Sequence, residues 1–220
     1  MNPEDFFKKP QRSSSIQVHP NACVVSPTII ALGASTGGPR ALEQILPLFP
    51  RDLHVPILIV QHMPPGFTRA FAQRLDFLSS VAVREAIQGE SIDPGVVYIA
   101  PAGVHMTVQR RLGSRAFIRL DPNRASHLHV PSVDKLMKSV AEAFEELAMG
   151  VILTGMGADG AEGMSAIQRH GGFTIGQDEA SCTVYGMPRV CAERGSLLRI
   201  VPLSRIPAEI LKATRYRKRA

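Results

Sequence analysis

Short apolar runs alternate with amphipathic stretches through most of this chain. Residues 27–33 and 55–60 are almost continuously apolar, as in strands buried on both faces, whereas residues 68–78 repeat apolar side chains at helical spacing. This alternation predicts a doubly wound α/β fold, in which helices cover both faces of a mostly parallel sheet. The predicted strands are residues 27–33, 55–60, 96–100, 150–154, 173–176 and 197–201, the predicted helices are 39–46, 68–78, 132–147, 161–169 and 188–193, and a β-hairpin is predicted over 106–109 and 116–120.

The chain of 220 residues is long enough to bury one substantial core, so a single domain is expected. We predict that this domain covers residues 27–211. A flexible leader or linker remnant over residues 1–26 precedes it, and a basic tail over residues 212–220 follows it. No apolar run approaches the ~20 residues of a membrane helix, and the N-terminus does not resemble a signal peptide. A cytoplasmic protein that is not inserted in a membrane is therefore expected.

The charge and the cysteines exclude further classes of function. The formal net charge is +6, but five basic residues lie in the tail, and residues 27–211 carry equal numbers of basic and acidic residues. A folded body that binds nucleic acid is thus disfavoured. Three cysteines without a C-x-x-C pair indicate neither a disulfide framework nor a zinc cage.

One serine, one histidine and one aspartate each follow a predicted strand. They are Ser35, His62 and Asp159. Because the carboxyl ends of parallel strands meet at one edge of a sheet, we expect these side chains to lie close together. A nucleophile, a base and a residue that orients the base need these residue types. The chain order Ser, His, Asp differs from that of α/β-hydrolases, so the pattern predicts another serine-hydrolase fold.

The turn that carries Ser35 has an alternative interpretation. Gly33–Gly37 reads G-x-S-x-G, which is typical of a turn that exposes a nucleophilic serine between a strand and a helix. Glycines after a first strand also bind phosphate groups in dinucleotide folds. The segment does not match G-x-G-x-x-G and no acidic residue ends the second strand, so the residues favour a hydrolase over a nucleotide-binding protein.

Longer motifs are similar to those of the protein-glutamate methylesterases of bacterial chemotaxis, in order and over about residues 28–203. The resemblance implies Ser35 as nucleophile, His62 as base and Asp159 as the third triad member, with the backbone N–H groups of Thr36 and Met156 as oxyanion donors. The motifs are Gly33-Ala-Ser-Thr-Gly-Gly-Pro39, Gln61-His-Met-Pro-Pro-Gly-Phe-Thr68, Pro131-Ser-Val-Asp134, Leu153-Thr-Gly-Met-Gly-Ala-Asp-Gly160, Gly176-Gln-Asp-Glu179 and Tyr185-Gly-Met-Pro188.

The same resemblance implies a substrate and a partner. The expected substrates are γ-glutamyl methyl esters on the cytoplasmic helices of methyl-accepting chemoreceptors, and some members of the family also deamidate receptor glutamines. The expected chemistry proceeds through a glutamyl-enzyme ester and needs neither a metal nor an organic cofactor. Members typically carry an N-terminal receiver domain, and because only about 26 residues precede the first predicted strand, we expect a catalytic domain without it. Two alternatives stay open: an esterase or amidase of this fold that acts on another protein, and a receptor-docking module without catalysis.

Five further residues carry weaker expectations. His127-x-His129 could bind a metal, but no third ligand is evident, so loop or surface histidines are predicted. His105 could line the rim of the active site or orient a loop. Asp134 is predicted to lie at a helix N-terminus, where a carboxylate complements the dipole, and Cys182 is predicted to be a core thiol.

Overall fold

Seven strands form one parallel sheet in the computed structural model, which describes residues 25–110, 115–123 and 128–216. Two more strands in these ranges form an antiparallel hairpin. The strands are β1 (Ile29–Ala34), β2 (Ile57–Gln61), β3 (Ala82–Glu85), β4 (Val96–Ile99), β5 (His105–Arg110), β6 (Ala116–Asp121), β7 (Ala148–Ile152), β8 (Phe173–Gln177) and β9 (Arg199–Val201), of which β5 and β6 make the hairpin.

The strand β1 lies in the middle of the sheet, whose order is β3-β4-β2-β1-β7-β8-β9. It pairs with β2 on one side, with Ala34 opposite Gln61, and with β7 on the other side, with Gly33 opposite Ile152. All of these pairings are parallel, so the carboxyl ends of β1, β2 and β7 lie next to one another. The loops that follow these three strands therefore meet at one edge of the sheet.

Helices cover both faces of the sheet, as the sequence predicted. Side chains of Ile30 and Leu32 pack in one core with α1, α2 and α6, defined below, and those of Ile29 and Ala31 pack in a second core with α3, α4, α5 and the hairpin. A strand buried on both faces has no polar side, which explains why its sequence is almost continuously apolar. The helices are α1 (Gly38–Ile45), α2 (Thr68–Leu78), α3 (Val133–Phe144), α4 (Ala161–Arg169), α5 (Met187–Glu193) and α6 (Ile206–Ala213).

Several elements differ from the sequence-based predictions. The strand β7 begins two residues earlier than predicted, at Ala148, and neither β3 nor α6 was predicted. The helix α6 ends at Ala213, beyond the predicted domain boundary at residue 211, and the Tyr216 side chain that follows it donates a hydrogen bond to Asp52. Residues 1–24 of the predicted leader, residues 217–220 of the predicted tail and His127 lie outside the described residues. No helix in the described ranges is long and apolar enough to cross a bilayer.

Candidate active site

Ser35 is the first residue after β1, on the tight turn that leads into α1. Its N–H donates to Thr154 O over 3.1 Å, and its carbonyl accepts from Gly38 N over 2.8 Å and from Gln61 Nε2 over 3.0 Å. Gly37 has a φ of 84°, in the left-handed region that glycine adopts without steric cost. The turn thus holds the backbone of Ser35 from three directions and leaves its side chain half-buried.

Two glycines let the loops around Ser35 come into contact. A Cβ atom on Gly38 would lie 1.9 Å from Gln61 Oε1, and one on Gly155 would lie 2.8 Å from the Cβ atom of Ser35. Neither distance leaves room for a side chain. The loops after β1, β2 and β7 therefore pack backbone against backbone or against a single buried side chain at this edge of the sheet.

His62 directly follows β2 and is hydrogen-bonded to Asp159. The two atoms joined are His62 Nε2 and Asp159 Oδ2, 2.8 Å apart, and the side chains are only 11% and 9% exposed. A carboxylate only accepts, so Nε2 carries the hydrogen and Nδ1 of the neutral ring holds a lone pair. Nδ1 is buried and, among the described residues, has no hydrogen-bond partner. Asp159 therefore orients the ring, and Nδ1 remains available as a hydrogen-bond acceptor.

The carboxylate of Asp159 also caps the N-terminus of α3. It accepts from Ser132 Oγ over 2.9 Å, from Val133 N over 2.7 Å and from Asp134 N over 3.0 Å. Burial raises the pKa of Asp159, but the hydrogen bonds from His62 and from the two amides outweigh burial and bring the pKa below its usual value. Asp159 is thus held ionised next to His62.

The loop after β7 carries Met156. Thr154 in this loop makes hydrogen bonds to Gln177 and Thr36. Thr154 N donates to Gln177 Oε1 over 2.8 Å, and its hydroxyl donates to Thr36 O over 2.9 Å. Neither Thr36 N–H nor Met156 N–H donates a hydrogen bond within the described part of the chain. Two unused amides next to a serine turn have the character of oxyanion donors.

The structure places three of the weaker candidates as follows. His105 is fully buried, and its Nδ1 accepts from Ser132 N over 3.2 Å, so it orients the loop before α3 instead of lining a rim. Asp134 lies in the first turn of α3, as predicted, and accepts from Gly163 N over 2.7 Å. Cys182 is half-buried, and burial raises its pKa to about 12. A thiol of that kind is not a nucleophile at neutral pH.

Two residues at this edge of the sheet were missed by sequence reasoning. Gln61 is 1% exposed and donates from Nε2 to the carbonyls of Ser35 and His62, each over 3.0 Å. His129, predicted to be a loop or surface histidine, lies in a loop but stacks on the ring of His62, with centroids 4.3 Å apart. Gln61 could have been noticed as a polar residue that ends a buried strand; no local pattern marks His129.

Among the described residues, no three His, Cys, Asp or Glu side chains come together in a group that could hold a metal ion. The two histidines of the stack are not arranged around a common centre, because their rings lie face to face with an angle of 17° between the planes.

Comparison with known proteins identifies the family of this chain. The sequence model described as "CheB methylesterase" matches residues 30–210. This chain belongs to the CheB methylesterase family. The crystal structure of the Thermotoga maritima CheB methylesterase catalytic domain is similar to it with a TM-score of 0.82 and 40% identity, covering 86% of this chain and 99% of that one. The family and the doubly wound α/β fold, which the sequence had suggested, are both confirmed.

Curated relatives carry the name protein-glutamate methylesterase/protein-glutamine glutaminase. The protein from Pyrococcus horikoshii is 45% identical over 184 residues, which is 84% of this chain and 50% of the relative. The protein from Bordetella bronchiseptica is 50% identical over 187 residues, again 84% of this chain and 53% of the relative. The protein from Clostridium acetobutylicum is 38% identical over an alignment 230 residues long, which covers 98% of this chain and 66% of the relative. This chain thus spans about half to two thirds of the length of these relatives.

Proposed function

We propose that this chain is a serine hydrolase that removes methyl groups from γ-glutamyl methyl esters of chemoreceptors and deamidates receptor glutamines. The observation that carries the proposal is the His62–Asp159 hydrogen bond with its unpartnered Nδ1, beside the turn that holds Ser35. Membership of the CheB methylesterase family and the names of the relatives support the substrate class. The partners are then the cytoplasmic helices of methyl-accepting chemoreceptors, which requires a cytoplasmic location.

In the first half of the reaction, Ser35 Oγ attacks the ester carbonyl while His62 Nδ1 takes its proton. Asp159 keeps the His62 ring in the required tautomer and stabilises the imidazolium that forms. The Ser35 hydroxyl makes no hydrogen bond to His62 among the described contacts, so the contact forms as the substrate binds. Catalytic hydrogen bonds commonly shorten in this way when the substrate is in place.

The charge that develops on the carbonyl oxygen is stabilised by backbone amides. The N–H groups of Thr36 and Met156 donate to the oxyanion, and both are free of other partners in the described chain. Because these donors belong to loops already held by Thr154, they need little reorganisation during the reaction.

The second half of the reaction releases the product. The tetrahedral intermediate collapses, its C–O bond to the methoxy group breaks, and His62 gives its proton to the leaving methanol. Water then attacks the glutamyl ester of Ser35, with His62 as its base, and the carboxylate leaves with Ser35 restored. A glutamine side chain follows the same path with ammonia as the leaving group. No step needs a metal or an organic cofactor.

The test is the release of methanol from a methylated cytoplasmic fragment of a chemoreceptor. We expect the wild-type chain to release methanol and Ser35→Ala to lower kcat by about 10³-fold or more. Ser79→Ala, a serine just after α2 and away from this edge of the sheet, is the matched control and should retain activity.

Two other outcomes would overturn the proposal. Hydrolysis of a small aryl ester that depends on Ser35, without release from the receptor fragment, would indicate an esterase or amidase that acts on another protein. Binding of the receptor fragment without hydrolysis of any ester would indicate a docking module.

Release of ammonia from a fragment with glutamine at the same positions tests the second activity.

A further inference from the structure

A second histidine ring lies flat against the proposed base. The centroids of His129 and His62 are 4.3 Å apart and their planes differ by 17°, so the two rings are stacked. His62 is otherwise held by one side-chain hydrogen bond, from Nε2 to Asp159. That bond directs one edge of the ring but leaves the ring free to tilt about the bonded edge.

The segment that follows His129 is anchored by hydrogen bonds to residues that are distant along the chain. Val130 O accepts from Gly103 N over 3.2 Å, and Ser132 N donates to His105 Nδ1 over 3.2 Å. Ser132 Oγ donates to Asp159 Oδ1 over 2.9 Å. The loop before α3 therefore binds Asp159 and places a ring on His62 at the same time, so its position determines both members of the pair.

The stack can support the reaction only if His129 stays neutral, because His62 becomes a cation when it takes a proton. Burial lowers the pKa of His129, and the nearby His62 lowers it further, whereas Asp159 raises it. A neutral ring tolerates an imidazolium against its face, whereas a second cation would repel it. The other charged groups that line the cavity of about 430 Å³ beside His129 are Asp134 and Lys138 from α3, Glu162 from α4, and Arg194 after α5.

We propose that His129 is a positioning residue that keeps the His62 ring in the plane that joins Asp159 to the nucleophile. In this role it acts through His62 and takes no part in forming or breaking bonds. The inference rests on the proposed function, since it assumes that His62 is the base. A ring at position 129 prevents His62 from tilting, and a small side chain there would let the ring leave its hydrogen bond or turn Nδ1 away from Ser35.

Three substitutions separate the parts of this role. His129→Ala removes the ring, and we expect kcat for methanol release to fall by about 10- to 100-fold while KM changes less than about 2-fold, as for the loss of base positioning. His129→Phe keeps a flat ring without a titratable group, and we expect kcat within about 3-fold of the wild type. Leu128→Ala, the exposed neighbour in the same loop, controls for disturbance of the loop and should leave kcat unchanged.

His129→Lys tests the need for neutrality. A cation beside His62 opposes the positive charge that the ring acquires when it takes a proton, so the acidic limb of the kcat/KM profile should move to lower pH while the plateau rate falls. His129→Phe should leave that limb where it is. A residue that merely helped the loop to fold would lower activity in all three variants without moving the limb.

A measurement that does not depend on activity distinguishes failure of this inference from failure of the proposed function. The proton of the His62–Asp159 hydrogen bond is buried and should give a slowly exchanging imidazole N–H signal by NMR. We expect the signal in the wild type and in His129→Phe, and its broadening or loss in His129→Ala. An unchanged signal and an unchanged kcat in His129→Ala would overturn the inference, and an unchanged signal would do so even if the chain released no methanol.

Discussion

The Gln61 side chain joins the backbones of the proposed nucleophile and base, which makes its replacement a sensitive probe of the site. Its Nε2 donates to Ser35 O and to His62 O, each over 3.0 Å, and the side chain is 1% exposed. Only an NH₂ group can face two carbonyl oxygens, so the orientation of this amide is determined by its partners. The opposite end, Oε1, is buried and makes no hydrogen bond in the described chain.

Gln61→Leu removes both donors at nearly constant volume. Each lost hydrogen bond costs about 0.5–1.5 kcal/mol. His62 O has no other hydrogen-bond partner in the described chain, and leaving this acceptor unsatisfied adds about 1–3 kcal/mol. The variant also removes the unpartnered Oε1, whose burial costs about 1–3 kcal/mol in the wild type. These terms partly cancel, and we expect the free energy of unfolding to fall by about 1–3 kcal/mol.

Gln61→Glu should make the loss of folding stability depend on pH. An ionised carboxylate at this position would face the carbonyl oxygens of Ser35 and His62 without any donor, so burial and repulsion raise the pKa of the new carboxyl group. A raised pKa in the folded state means that the variant loses stability as pH rises above the unfolded value, about 4.3 for glutamate. We expect Gln61→Glu to be close to Gln61→Leu in stability at pH 4 and clearly less stable at pH 8.

Urea unfolding at pH 4 and pH 8 measures both effects, and methanol release at the same pH values reports whether the loops still hold Ser35 and His62. Gln44→Leu, at an exposed glutamine on α1, is the control and should change the free energy of unfolding by less than about 0.5 kcal/mol. Equal stability of Gln61→Leu and the wild type, or a Gln61→Glu variant whose deficit is the same at both pH values, would refute this reasoning.

Two further predictions concern the aspartate and the turn. Asp159→Asn should lower kcat for methanol release by about 10⁴-fold. A neutral amide does not stabilise the imidazolium of His62, and it does not keep the ring in the required tautomer. Because the pKa of Asp159 lies below its usual value, its stabilising effect is full above about pH 4 and is lost as pH falls through the lowered pKa. Asp159→Asn should therefore show less acid destabilisation than the wild type in urea unfolding between pH 2 and 6; parallel curves would contradict this. Gly38→Ala should lower the free energy of unfolding by about 1–3 kcal/mol or more, because the new Cβ would meet Gln61 Oε1 at 1.9 Å. Ala70→Gly on α2 is its control on an exposed helical position, and a fully stable Gly38→Ala would show that the turn adapts.

Most of the fold could be predicted from local sequence patterns. The helices α2 and α4 begin and end at the predicted residues, because each has an apolar stripe at helical spacing, and Gly171 with Gly172 stops α4. The strands β1 and β2 were predicted because strands buried on both faces are continuously apolar. The strand β3 was missed because it is a short edge strand in which only Val83 is buried. Edge strands lack the apolar signal on which such predictions depend.

The residues of the proposed site were predicted by a similar argument from topology. Ser35 and His62 directly follow central strands, and parallel pairing brings their loops to one edge of the sheet. The close contact of His62 with Asp159 depends on the loop over residues 153–160, between β7 and α4, whose path no local pattern defines. The triad residues were therefore identified from their order and types, and their roles stay a proposal.

The sequence by itself determined which segments form strands and helices and which chemical groups end near one another, because periodicity and loop position are local properties. Only the tertiary structure decided how Gln61 joins two loops, why Asp159 is ionised at the start of α3, and that His129 lies against His62. These contacts join residues that are distant along the chain, and each depends on the packing of at least two elements. Packing sets positions to within a fraction of an ångström, whereas residue spacing indicates only that two groups lie in the same region.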